Sequence, residues 1–136
     1  MKRYELIDLS GDAGIRIHGM TLEELFANAA RGMYELVTDT SIISESERRE
    51  ISLEGDTLDG LLVLWLNELI FQFDTYGFIG RNFSFSFLDT ALTACVAGGL
   101  FDPDLHEQRL LIKAATYHKL YLKKNSIWEA RVMFDI

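Results

Sequence analysis

Proline occurs once in this chain of 136 residues, at Pro103, so no proline-rich linker divides it. Cysteine also occurs once, at Cys95, which excludes an internal disulfide and any Cys/His zinc spacing. Cys95 lies in the apolar stretch from Ala94 to Ala97 and is expected to be a small buried hydrophobe. No uninterrupted apolar run reaches the roughly 18 to 20 residues of a membrane helix. The stretch from Met1 to Arg16 alternates charge with apolarity, unlike a signal peptide. A cytoplasmic protein with no membrane partner is the expectation. Glycine-rich phosphate cradles are missing too; Gly98-Gly99 reads as a turn, followed by the break residues Asp102 and Pro103. No G-x-S-x-G frame is present. Basic residues are in the minority, 13 against 21 acidic, giving a net charge of −8. That balance argues against a surface that grips phosphate backbones throughout. Contact with nucleic acid is expected only indirectly, and a basic protein partner fits better.

The chain is 49% apolar and 25% charged, the balance of a soluble globular domain, and its length suits a single domain over residues 1–136. Two helices are written clearly. Thr21 and Glu24 form a capping box, with Met20 and Leu25 placed as a hydrophobic staple. Leu22, Leu25, Phe26, Ala29, Met33 and Leu36 then recur at helical spacing. A second helix starts near Asp56 or Thr57 and runs to about Phe73. Its stripe is Leu58, Leu61, Leu62, Trp65, Leu69 and Phe73, with Val63, Leu64 and Ile70 apolar besides, so it should be buried on more than one side. The remainder reads as strands: Tyr4 to Asp8, Ile15 to His18, Arg49 to Leu53, Phe83 to Phe87, Ala91 to Ala97, Leu110 to Ala114, Leu120 to Lys123 and Ile127 to Phe134. The class is α+β: two main helices on a largely antiparallel or mixed β-sheet, a two-layer sandwich.

Chemistry is concentrated in three places. Asp8 and Asp12 flank a glycine-containing turn, though without the spacing of an EF-hand loop. The chain then ends on Asp135 and Ile136 straight out of a strand, so a side-chain carboxylate and a main-chain carboxylate can converge. Hard cations such as calcium or magnesium want such oxygen ligands. Finally, Lys113, Thr116 and His118 lie in a short polar stretch between strands. Lys113 is unexpected in an apolar strand, since a buried lysine needs a partner. The late basic residues Lys119, Lys123, Lys124 and Arg131 are interrupted by Glu129 and Asp135, and read as a solvated strand face.

These segments together resemble the archease family nearly end to end. The resemblance is carried by Tyr4-Glu5, the run Gly11 to Ile15, Leu22 to Phe26 with Ala29-Ala30, Leu61 to Leu69, Ile112 to His118, and Phe134-Asp135-Ile136. The Ile112 to His118 run and the Asp-Ile ending are the specific parts. One departure is Leu9, where the family often has a histidine after the residue matching Asp8. The resemblance implies a non-enzymatic accessory protein that activates an RtcB-type RNA ligase in tRNA splicing, promoting its guanylylation and turnover. It also implies a possible second partner, a tRNA methyltransferase served in a chaperone-like way. The family's metal ligands match Asp12, Asp135 and the Ile136 carboxylate, with calcium favoured over magnesium. Lys113, Thr116 and His118 would then serve the partner. Two rivals remain: a small metal-dependent hydrolase using Asp8, Asp12 and His118, and a general chaperone for an RNA-modifying methyltransferase with no metal function.

Overall fold

The protein was analysed as a computed structural model that describes residues 3–9 and 11–136, Leu9 by its backbone alone. The elements in order are β1 (Tyr4–Leu9), β2 (Asp12–Gly19), α1 (Leu22–Val37), a 3-10 turn (Thr40–Ile42), β3 (Glu47–Glu54), α2 (Leu58–Tyr76), β4 (Phe78–Leu88), β5 (Ala91–Leu100), β6 (Ala114–Lys124) and β7 (Trp128–Asp135). The α+β class and the two helices are as the sequence indicates. What the alternation pattern does not resolve is that the strands divide between two antiparallel sheets. One is four-stranded, in the order β1-β2-β7-β6, and the other three-stranded, in the order β3-β5-β4.

Both helices touch both sheets. α1 packs on β2 and β4, and α2 packs on β6, β3 and β4. That is the reason α2 has so little polar surface: Leu61, Leu62, Trp65, Leu66 and Leu69 are fully buried, and Val63 is buried with them. The N-terminus of α1 is capped as expected, with the Glu24 N–H donating to Thr21 Oγ1 at 3.1 Å. Met20, however, stays 65% exposed, so the expected staple does not hold the start of α1. The phenylalanines of β4 alternate as read, and Phe85 and Phe87 meet Phe26 edge-to-face across the core, at centroid separations of 6.2 and 5.0 Å.

Three local expectations are corrected. Cys95 is exposed, not buried, because only alternate residues of β5 turn inward, here Ala94 and Val96. Gly98 and Gly99 are strand residues, not a turn. A Cβ at Gly98 would strike the Ile79 carbonyl of β4, and one at Gly99 would lie 2.5 Å from the Ser44 carbonyl oxygen, so glycine is what lets β5 run on to Leu100. The segment Leu110 to Lys113 is not a strand. The Arg109 and Leu110 N–H groups donate instead to the Val37 and Leu36 carbonyls at the end of α1. β6 starts only at Ala114 and extends to Lys124, with a shift of register against β7 between Thr116 and Tyr121, so Thr116 and His118 lie within it.

Tyr34 in α1 is 1% exposed, and burial pushes its phenol well above the ordinary tyrosine value. Tyr4 is pushed up to about 12, first by burial and then by its hydrogen bond to Glu35. A raised folded-state value means full stability below the unfolded tyrosine value of about 10, lost as pH rises through the folded value. Alkaline titration followed by phenolate absorbance should therefore show Tyr34 ionising only together with loss of the helical circular-dichroism signal. Ionisation of all five tyrosines ahead of unfolding would contradict the packing of α1.

Candidate functional site

The outer face of the four-stranded sheet is built by strict alternation. On β2, Ala13, Ile15 and Ile17 go into the core, which leaves Asp12, Gly14, Arg16 and His18 outside. On β7, Ala130, Val132 and Phe134 go inward, leaving Glu129, Arg131, Met133 and Asp135 outside. The pairing sets Ala13 against Phe134, Gly14 against Met133, Arg16 against Arg131 and His18 against Glu129. Extending that register by one residue sets Asp12 opposite Asp135, and Ala114 of β6 faces Asp135 from the other side. Directly opposed residues in an antiparallel pair have Cβ atoms about 4.5 to 5.5 Å apart. Asp12, Asp135 and Ile136 are all exposed at this end of the sheet.

A groove of about 540 Å³ runs across this face, bordered by the acidic Glu5, Asp8 and Asp12 and the basic Arg16, Lys119 and Arg131, together with Leu6, Ile7 and Met133. Met133, one of the lining residues, pairs with Gly14 across the β2–β7 ladder. A Cβ at Gly14 would lie 2.5 Å from Met133 Sδ, so the thioether lies over the glycine. Asp12 is thus the first residue of a strand, not part of a loop as the glycines suggested; Ser10 lies outside the described residues.

The other sequence candidates fall around this groove, not in it. Thr116 pairs with Met133, and its hydroxyl donates to the Met133 carbonyl at 3.0 Å while accepting the His118 N–H at 3.3 Å. That hydroxyl is committed to the backbone. His118 is exposed and does not border the groove, so Asp8, Asp12 and His118 are not gathered into one site. Lys113 is exposed, which removes the puzzle of a buried lysine, and its N–H donates to the Asp135 carbonyl at 2.8 Å. The main chain of Lys113 thereby fixes the strand end that carries Asp135.

Two contributions were missed in the sequence. Arg16 was not singled out, because its meaning comes from the strand opposite. Asn67 on α2 accepts the Ala115 N–H at 2.8 Å and donates to the Ala115 carbonyl at 3.2 Å, bracing β6 where no further strand pairs with it. A lone Asn inside the apolar run of α2 was the available signal.

Among the described residues, no three His, Cys, Asp or Glu side chains gather in a metal-holding cluster. A cation at Asp12 and Asp135 would draw its remaining ligands from main-chain or water oxygens. The donor set is all hard oxygen, which fits calcium or magnesium and not zinc.

The fold and groove define a class: a two-sheet α+β domain with two helices between the sheets and a charged groove on one outer face. The chain belongs to the archease family, whose family model, the Archease protein family, matches residues 4–136. It is 34% identical over 125 residues to protein archease of Sulfurisphaera tokodaii, covering 90% of each chain. It is 37% identical over 126 residues to protein archease of Saccharolobus islandicus, covering 91% of each. The solution structure of Methanobacterium thermoautotrophicum protein 1598 superposes with a TM-score of 0.82 at 33% identity over 100% of both chains. A Thermotoga maritima archease, itself named a possible chaperone, shares the fold with a TM-score of 0.68 at 22% identity, over 96% of this chain and 94% of its own.

Proposed function

We propose that this protein is a non-catalytic accessory factor that activates an RtcB-type RNA ligase by promoting its guanylylation and turnover. In this reading Asp12, Asp135 and the Ile136 carboxylate hold a divalent cation, calcium in preference to magnesium. Membership of the archease family supports the ligase partnership. The observation that supports the site is the β2–β7 register, whose extension sets Asp12, at the edge of the groove, opposite Asp135. The hydrolase reading loses ground because His118 stands away from that groove. When bound, the cation would supply positive charge to an otherwise repulsive pair of carboxylates and so order the rim. Asp12 and Asp135 would hold it, and the Lys113 N–H would keep the Asp135 main chain in place. No helix among the described residues is long and apolar enough to cross a membrane. A small, acidic cytoplasmic factor that meets a basic ligase surface agrees with the net charge of −8.

The test is RNA ligation by purified ligase with and without substoichiometric amounts of this protein. Many ligations per ligase only in its presence is the expected result. Turnover of RNA ends by this protein alone, or no effect on the ligase, would sink the proposal. Extending the chain beyond Ile136 converts the terminal carboxylate into an amide. Calcium affinity and ligase activation should both fall while the circular-dichroism spectrum stays unchanged; equal activity of the extended protein would remove the terminus from the site.

Lys113→Ala keeps the main-chain bond to Asp135, and the side chain it removes is exposed. Stability should stay within about 1 kcal/mol, while ligase activation drops sharply if the ammonium meets the partner. Full activation by the variant would take Lys113 off the functional surface.

A further inference from the structure

Arg16 and Arg131 stand directly opposite one another in the β2–β7 ladder. Like charges in that position repel, and in a chain with 21 acidic residues they are easily avoided. Three observations show that this group of cations is arranged and not incidental. Arg131 donates from Nε to the Lys119 carbonyl at 2.9 Å and lies over the Tyr121 ring at 5.0 Å from its centroid. Tyr121 is itself anchored, its hydroxyl donating to Glu129 at 2.8 Å. This leaves the two terminal nitrogens of Arg131 for the groove. Lys119 has φ +54, a left-handed conformation uncommon for a residue with a side chain, inside a break in register between Thr116 and Tyr121. Such irregularities re-aim side chains, and here the result is that Lys119 lines the same groove as Arg16 and Arg131. Among the described residues, only Arg16 of the three has an ion-pair partner, Glu5 at 3.8 Å, with both groups well exposed.

We infer that Arg16, Lys119 and Arg131 form a binding site for a phosphate group. Guanidinium forks match the oxygens of a tetrahedral anion, and a lysine adds a point charge. Glu5, Asp8 and Asp12 border the same groove and repel further anions, so the site takes one phosphate group and not a continuous nucleic-acid backbone. The groove, at about 540 Å³, has room beyond a single phosphate, which points to a phosphomonoester whose remaining part rests on Met133 and Ile7. The assignment is independent of the ligase reading and of any cation at the acidic rim.

The test is an NMR titration of the intact protein with inorganic phosphate and with phenyl phosphate, each replacing chloride at constant ionic strength. Saturable shifts at Arg16, Lys119 and Arg131 are expected with both probes. Tighter binding of phenyl phosphate, with added shifts at Ile7 and Met133, would assign the site to a monoester; tighter binding of inorganic phosphate would assign it to the free anion. Arg131→Gln should weaken binding at least about tenfold, as loss of a hydrogen bond to a charged group does. Lys124→Gln, an exposed cation stacked on Trp128 and outside the groove lining, should leave binding unchanged. If Arg131→Gln does not fold, Arg16→Gln and Lys119→Gln carry the same expectation. Shifts that fail to saturate, or equal losses in Arg131→Gln and Lys124→Gln, would overturn the site.

Discussion

If Asp12 and Asp135 hold calcium as proposed, Asp12→Ala should abolish calcium-dependent stabilisation while making the calcium-free protein slightly more stable. The two effects have one cause. Asp12 and Asp135 face each other across the β2–β7 ladder, both exposed. Without a cation these negative groups repel, at a cost of the order of 0.2 to 1 kcal/mol for a directly opposed like pair. Removing Asp12 relieves that repulsion, and since the side chain is exposed, nothing in the core is lost. With calcium at a hundred times its dissociation constant, the intact site should gain about 2.7 kcal/mol by mass action, and the variant should gain none. Thermal melts with and without calcium, for both proteins, read all four states. A calcium-dependent rise in Tm that survives in Asp12→Ala would show that the ion binds elsewhere. A fall in the calcium-free Tm would show that Asp12 is a structural residue and that the register does not crowd the two carboxylates.

How much of this was legible beforehand depended on range. The N-cap at Thr21 and the Phe83, Phe85 and Phe87 alternation are local patterns, and both recur in the structure. Leu110 and Ile112 have strand spacing yet no strand forms there, because the Val37 and Leu36 carbonyls at the end of α1 take the N–H groups of Arg109 and Leu110. Nothing within that segment could reveal this. Cys95 was misjudged for a simpler reason: a run of small apolar residues in a two-faced sheet has only every second member inside. The acidic residues at the two chain ends were visible as types, but their juxtaposition is a property of the register. The Arg16–Arg131 pair is the same kind of fact: each arginine looks like an ordinary solvated cation until the strand opposite is known. The division into two sheets was also out of reach, although the apolar girth of α2 carried its trace: a helix buried on both sides needs something on both sides.

That same burial sets the largest expected loss of stability, from Trp65→Ala. Trp65 is fully buried on α2, with its indole edge-to-face against Phe83 at 6.0 Å and Phe85 at 5.0 Å. Its Nε1–H donates to the Phe26 carbonyl of α1 at 3.0 Å, so this one side chain joins the two helices to each other and to the three-stranded sheet. Truncation removes the largest fully buried side chain of the core. It should cost about 3 to 5 kcal/mol in transfer and cavity terms, a large share of the roughly 5 to 15 kcal/mol that holds a domain folded. Trp65→Phe isolates the polar part: most of the aromatic contact remains, and loss of the indole hydrogen bond should cost about 1 kcal/mol beyond a modest cavity. Urea unfolding followed by circular dichroism measures both variants, with the calcium response as a second readout. Because the acidic rim lies on the outer face of the four-stranded sheet, a Trp65→Phe protein that still folds should keep its calcium affinity. If Trp65→Ala cost less than about 1 kcal/mol, as a surface change would, the helices could not lie between the two sheets as described.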